Sequence, residues 1–220
     1  DAIKNFRRIL LGGEEFPKNY FEILRNFTDA KIYDGYGPTE ITVWSSAKEI
    51  EKKNEINIGY SIPNVFSYIL DENNNLLPIG CKGELCIGGM GVGVGYYKNK
   101  EATDEKFINV DGKRLYKTGD IAYFNFNGEL EYVGRKDSQI KLRGLRIEIE
   151  EIESAIKSYD NIIQSAVVVI DNKLYAYFSS DKSIAQDELK KYLRTKLPRY
   201  MVPTFYMQVK KFEFTVLGKI

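Results

Sequence analysis

Two joined architectures are predicted: an α/β unit that runs on into a β-rich region, and after it a smaller α+β unit. Three features of the sequence carry this expectation. Phe6-Arg7-Arg8-Ile9-Leu10-Leu11 reads as a short buried strand, Gly12-Gly13-Glu14-Glu15-Phe16-Pro17 as a turn and residues 18–27 as a helix, the strand–glycine–helix order of an α/β unit. From residue 56 to 133, short apolar runs such as Ser67-Tyr68-Ile69-Leu70 and Glu84-Leu85-Cys86-Ile87 are separated by Asn-rich and Gly-rich turns, as in a sheet. Across residues 131–146 the texture then changes, and a charged amphipathic pattern begins at Ile147-Glu148-Ile149-Glu150-Glu151-Ile152-Glu153.

In order along the chain, Ala30-Lys31-Ile32-Tyr33 is a second short strand. It ends at the loop Asp34-Gly35-Tyr36-Gly37-Pro38-Thr39-Glu40, whose glycines and proline set an unusual backbone path. Ligands of open α/β sheets sit at the carboxyl ends of strands, so this loop and the Gly12-Gly13 turn are site candidates. Asp71-Glu72-Asn73-Asn74-Asn75 reads as a hairpin tip. Gly88-Gly89-Met90-Gly91-Val92-Gly93-Val94-Gly95 contains G-x-G patterns, but no Lys-Ser/Thr follows and the segment runs into Tyr96-Tyr97-Lys98-Asn99 rather than a helix. It therefore reads as a Gly-rich barrel loop, not a nucleotide loop. Beyond Asp137, residues 148–157 place Ile149, Ile152 and Ile156 on one helical face. Strands are expected at 164–170 and 173–179 around the tight-turn pair Asp171-Asn172, a second helix at 186–196, and a strand in the tail 205–214.

Composition narrows the chemistry. Length allows one or two domains, and 43% apolar with 29% charged residues is ordinary for a globular protein. With 32 basic and 31 acidic residues, no global field calls for nucleic acid or an anionic membrane, so any basic site must be local. One such cluster exists, Arg135, Lys141, Arg143 and Arg146, which by composition reads as an exposed basic hairpin. The chain has no histidine, which rules out Ser-His-Asp and Cys-His relays built from it. Cys81 and Cys86 cannot form a four-ligand zinc site without histidine and read as reduced thiols, pointing to a cytoplasmic protein. No apolar run approaches the roughly 20 residues that span a bilayer, and no signal-like N-terminus is present. Carboxylates, lysine, arginine, tyrosine and backbone amides remain, a kit suited to phosphate chemistry, where positioning and charge neutralisation dominate.

The stretch Gly134-Arg135-Lys136-Asp137-Ser138-Gln139-Ile140-Lys141-Leu142-Arg143-Gly144-Leu145-Arg146-Ile147-Glu148 resembles the hinge motif of the adenylate-forming enzymes, in particular the amino-acid adenylation domains of nonribosomal peptide synthetases. Asp34-Gly35-Tyr36-Gly37-Pro38-Thr39-Glu40 resembles that family's adenine- and metal-binding motif, with Asp34 where Asn is common. The resemblance implies that Asp34 accepts from the adenine amino group, that Tyr36 stacks on the ring beside Gly37, that Thr39 bonds a phosphate oxygen and that Glu40 binds Mg²⁺. Gly12-Gly13-Glu14 resembles the turn lining the adenine pocket, and Asp120, in Tyr116-Lys117-Thr118-Gly119-Asp120, the aspartate that holds the ribose hydroxyls. Arg135 would contact the nucleotide and Asp137 would be the hinge. Lys219 would be the catalytic lysine, bridging substrate carboxylate and α-phosphate, although Leu217 stands where the family usually has Asn.

Carried across the chain, the resemblance implies residues 1–136 as the end of a large α/β adenylation subdomain with a distorted β-barrel, and 137–220 as a small mobile α+β subdomain. It implies ATP and Mg²⁺ as cofactors, an amino acid as substrate, and a carrier protein bearing phosphopantetheine and neighbouring synthetase domains as partners. An acyl- or aryl-CoA ligase, a D-alanine–carrier protein ligase, or a non-catalytic module that docks a carrier or a neighbouring domain are the alternatives. The phosphate loop of the family would precede Asp1, so these 220 residues are expected to be nearly inactive alone. Ile9, Leu11, Gly35, Val43 and Trp44 would line the side-chain pocket; none is charged, which favours a small or medium apolar amino acid.

Overall fold

The strand–turn–helix expected at the start is present, but the strand begins at Arg8 and, against the expectation of burial, alternates between exposed and half-buried residues. β1 (Arg8–Gly12), α1 (Lys18–Arg25) and β2 (Lys31–Tyr36) follow one another, and β1 pairs parallel to β2 with Gly12 opposite Gly35. The parallel pairing follows from the helical crossover between the two strands. The computed structural model describes residues 2–14, 16–52 and 56–212. Its chain divides into two units, Asp1–Asp137 and Ser138–Ile220, so the division falls after Asp137 where the sequence suggests the residue before it.

In the first unit α1 turns Phe21 and Leu24 onto Phe16, Leu11, Ile32 and Ile50, a small apolar cluster beneath β1 and β2. The second strand runs through Asp34, Gly35 and Tyr36, residues the sequence assigns to a loop. The reason is a partner: β3 (Ser46–Ile50) lies antiparallel to β2, with Gly35 opposite Ala47 and Tyr36 opposite Ser46. β4 (Tyr60–Ser61) completes the order β1-β2-β3-β4.

The second sheet contains β5 (Val65–Leu70), β6 (Gly83–Gly89), β7 (Phe107–Val110), β8 (Lys113–Phe124) and β9 (Leu130–Arg135). β8 is the spine of the sheet. One edge pairs with β6, while the other carries β7 along residues 113–116 and β9 along residues 120–124. The changeover falls at Gly119, whose φ of 74° is left-handed backbone that glycine takes without steric cost. An isolated bridge, Gly59 to Leu130, joins this sheet to the residue before β4. Between β6 and β7 lies α2 (Lys100–Lys106), which the sequence reading missed. It buries none of its side chains and so leaves no apolar stripe to read; its start is set by Asn99, whose side chain accepts from the Ala102 N–H at 3.1 Å.

In the second unit a hairpin of β10 (Ile140–Leu142) and β11 (Leu145–Ile147) turns at Arg143 and Gly144, φ 54° and 75°. The basic run is thus partly the hairpin its composition suggests. α3 (Ile149–Lys157) buries Ile149, Ile152 and Ile156 against Val167, Phe178, Leu189 and Leu193. Full burial of each such side chain stabilises by about 1.5–3 kcal/mol. β12 (Ile162–Ile170) and β13 (Lys173–Ser180) are joined by Asp171-Asn172, both left-handed as a two-residue hairpin requires. α4 (Gln186–Lys196) covers the same core, and β14 (Phe205–Val209) pairs parallel to β13, ending short of the strand expected to 214. Residues 213–220, and with them Lys219, lie outside the described residues.

Candidate active site

The carboxyl ends of β1 and β2 bring Gly12 and Gly35 side by side, and a flat ring does lie over them, but it is the chain's own. A Cβ at Gly12 would stand 2.5 Å from Cζ3 of Trp44, and one at Gly35 would stand 2.8 Å from the same atom. The backbone presents that indole through a strained turn. Thr42 and Val43 have φ of 63° and 79°, and Trp44 N–H donates to the Thr42 carbonyl at 3.2 Å, a γ-turn with a left-handed β-branched centre. Val43 is 60% exposed. Gly13 is left-handed too, and it and Glu14 are exposed.

Strand alternation corrects the expected pocket. Successive side chains of β1 point to opposite faces, and Leu11 packs against the cluster of Phe16, Phe21, Ile32 and Ile50. Ile9 shares the face of Leu11, so neither joins Gly35 and Trp44. The residue that does is Leu10: its Cδ1 lies 3.1 Å from where a Cβ of Gly35 would be, and its side chain is half exposed. The apolar face at the strand ends is therefore Leu10, Gly12, Gly35 and Trp44, with Val43 beside it.

On the other face of β2, Asp34 and Tyr36 are buried. Tyr36 is only 9% exposed and belongs to the cluster of Ile41, Ile58, Val65, Leu85 and Tyr116, so little of its ring is open for stacking. Its hydroxyl donates to Oδ2 of Asp120. Burial, then the adjacent Asp120 charge, pushes the phenol well above its ordinary value and keeps it a neutral donor.

Asp120 sits just past Gly119, and the turn is propped from beneath. Thr118 Oγ1 donates to the Leu85 carbonyl at 2.7 Å and accepts from Asp120 N–H at 3.0 Å, while Glu84 Oε1 accepts from Gly119 N–H at 3.2 Å. Asp120 is opposite Arg135 in the β8–β9 register, and Oδ1 receives Nη1 of that arginine at 2.8 Å. The other edge of the guanidinium is a fork onto Asp137, Nε to Oδ1 at 2.6 Å and Nη2 to Oδ2 at 2.7 Å. One cation thus bridges the expected ribose carboxylate and the expected hinge carboxylate.

Thr39 and Glu40 lie on a 3₁₀ turn, Thr39–Ile41, immediately after Pro38. Thr39 is exposed and Glu40 partly buried. Oε1 of Glu40 accepts from the Tyr96 hydroxyl at 2.6 Å. Among the described residues no group of three or more carboxylates, cysteines or histidines is gathered as a metal cage. Glu40 offers one partly buried carboxylate, and a nucleotide-borne Mg²⁺ takes one or two carboxylates with phosphate oxygens completing its shell. Glu84, Leu10 and Tyr96 are the site neighbours that sequence reading missed; a buried glutamate on an apolar strand was the one available signal, for Glu84.

A family profile described as AMP-binding enzyme matches residues 1–97, and one described as AMP-binding enzyme C-terminal domain matches residues 151–219. The chain belongs to the AMP-binding enzymes. Among curated proteins it is 40% identical to bacitracin synthase 1 of Bacillus licheniformis across its whole length, and 39% identical to tyrocidine synthase 3 of Brevibacillus parabrevis over 98% of it. It spans only 4% of each of those proteins. Among solved structures, IdnL1 superposes with a TM-score of 0.87 at 25% identity, covering 94% of this chain and 45% of that one. Holo-PA1221, a nonribosomal peptide synthetase protein containing adenylation and PCP domains, gives 0.84 at 26%, covering 97% and 39%. Holo-AB3403, a four-domain nonribosomal peptide synthetase bound to AMP and glycine, gives 0.56 at 39%, covering 96% and 16%.

Proposed function

We propose that the protein carrying this chain activates an amino acid with ATP, as an aminoacyl adenylate, and passes it to a carrier-protein phosphopantetheine thiol. The substrate carboxylate attacks the α-phosphorus, the bond to the β-phosphate oxygen breaks, and pyrophosphate leaves. The attacking group is already ionised, so a chain without histidine loses nothing. The observation that carries the reading is the Tyr36–Asp120–Arg135 cluster: a carboxylate held by a phenol and a guanidinium, suited to grip a ribose diol. Its support from relatives is the 40% identity to bacitracin synthase 1.

In this reading the Gly12-Gly13-Glu14 turn, Asp34 and Gly37 border the base, Thr39 bonds a phosphate oxygen, and Glu40 contributes an oxygen to Mg²⁺, which would draw charge from the phosphates. Lys219 would bridge the carboxylate and the α-phosphate. The apolar face of Leu10, Gly35, Val43 and Trp44 takes the substrate side chain. Asp137 is the hinge, and the Ser138–Ile220 unit swings about it. Among the described residues no helix is long and apolar enough to cross a membrane, and the two free thiols suit a reducing cytoplasm.

The test is ATP–pyrophosphate exchange by the full-length protein with a panel of carboxylic acids. Exchange led by apolar amino acids is expected. A preference for simple acids with CoA-thioester formation would replace the reading with an acyl-CoA ligase, and a preference for a charged amino acid would overturn the pocket alone.

A further inference from the structure

The glycine-rich run 88–95 is left without a role by the reading above, yet it packs on the turn that carries Glu40. Gly93 N–H donates to the Glu40 carbonyl at 2.8 Å, and Thr42 Oγ1 donates to the Gly91 carbonyl at 2.9 Å. A Cβ at Gly91 would stand 2.6 Å from the Ile41 carbonyl oxygen, so only glycine allows the two backbones to approach this closely. The run then delivers Tyr96. Its N–H donates to Thr103 Oγ1 at 2.9 Å, its ring meets Phe107 edge-on at 5.6 Å, and its hydroxyl reaches Oε1 of Glu40.

We propose that Tyr96 is the positioning residue for Glu40, the glycine run being the cradle that brings phenol and carboxylate into register. The inference rests on the reading in which Glu40 meets the nucleotide's Mg²⁺. A donor on one oxygen fixes the plane of the carboxylate, the outer-shell arrangement that metal-binding carboxylates use. Three anchors make it specific: the backbone bond to Glu40, the Thr103 bond to Tyr96, and the 2.6 Å hydroxyl contact. A tyrosine filling space alone would need its ring and not the hydroxyl.

The experiment compares Tyr96→Phe, Glu40→Gln and Phe107→Leu in the full-length protein. Two readouts are taken: Mn²⁺ binding in the presence of ATP by electron paramagnetic resonance, and the Mg²⁺ concentration that half-saturates pyrophosphate exchange. Removing an outer-shell partner of a metal ligand weakens the metal by roughly 10- to 100-fold, so Tyr96→Phe should shift both readouts by about tenfold at unchanged Tm and amino-acid KM, with activity recovered at high Mg²⁺. Glu40→Gln should shift them further. Phe107→Leu, which disturbs the ring contact and leaves the hydroxyl, should lower Tm without moving the metal dependence. If Glu40→Gln shifts the metal dependence and Tyr96→Phe does not, or if Phe107→Leu shifts it equally, the positioning role falls while the Glu40 assignment stands. If Glu40→Gln shifts nothing, the metal assignment falls and the inference with it.

Discussion

Gly119→Ala tests whether the carboxylate–guanidinium bridge is built around a missing side chain. Two costs add at this position. The left-handed φ of 74° costs an L-residue roughly 1–2 kcal/mol. A Cβ there would also stand 2.6 Å from Nη2 of Arg135 and 2.8 Å from Oδ2 of Asp137, so the fork must open. The pair is partly exposed, with Arg135 at 16% and Asp137 at 36%. An ion pair of that exposure is worth about 1 kcal/mol at most. The chain contains its own control, since Gly128 has φ 78° with nothing within 4 Å of its would-be Cβ. Gly128→Ala should therefore cost about 1–2 kcal/mol and Gly119→Ala about 1 kcal/mol more. Urea unfolding followed through Trp44, the single tryptophan, measures both. In an Asp137→Ala background the excess at Gly119 should vanish, because there is no fork left to displace. Equal losses at the two glycines, or an excess that survives Asp137→Ala, would refute the argument.

Further outcomes follow from other residues. Glu129 is held at about 2, first by its hydrogen bond from Lys48 and then by Asn125 and Asn57, against burial pushing it up from 4.5. A depressed carboxyl stabilises above its unfolded value and loses that contribution as pH falls toward 2, so Glu129→Gln should flatten the acid limb of stability between about pH 4.5 and 2 in a urea series. Trp44→Ala opens the space above Gly12 and Gly35 and should widen pyrophosphate exchange toward larger apolar amino acids; an unchanged ranking counts against the corrected pocket. Asp137→Pro should spare one half-reaction, adenylation or transfer to the thiol, and impair the other in the full-length enzyme, whereas equal loss of both argues against a hinge.

Where local chemistry decides structure, the sequence was readable. Ile149, Ile152 and Ile156 declare a buried helical face, and Asp171-Asn172 declares a turn that the structure makes with two left-handed residues. Reading failed where a distant partner decides. β2 extends into the Asp34–Tyr36 segment because β3 is there to pair with it. The family resemblance gives Ile9 and Leu11 to the pocket by their position beside the Gly-Gly-Glu turn, and a motif position does not say which face of a strand meets the core; the packing of Leu11 with Phe21 from α1 does. α2 shows no stripe because it buries nothing, and Tyr96 meets Glu40 only through the packing of a glycine run that looks like filler. Motif resemblance located Asp120 and Arg135 separately, and only the β8–β9 register makes them a pair.

The pairing of Tyr36 with Asp120 spans 84 positions of sequence, and Asn57 with Glu131 spans 74. Neither can form until both sheets exist and have met, since closing so long a segment costs chain entropy that only the completed interface repays. The Tyr36–Asp120–Arg135 cluster should therefore be among the last parts of the first unit to consolidate during folding. Defects there should act mainly by hastening unfolding, while the time to reach the native state is set by the local hairpins and the β1–α1–β2 unit. A newly synthesised chain would acquire its scaffold before its grip on a ligand, and a ligand that binds the finished cluster would slow its loss.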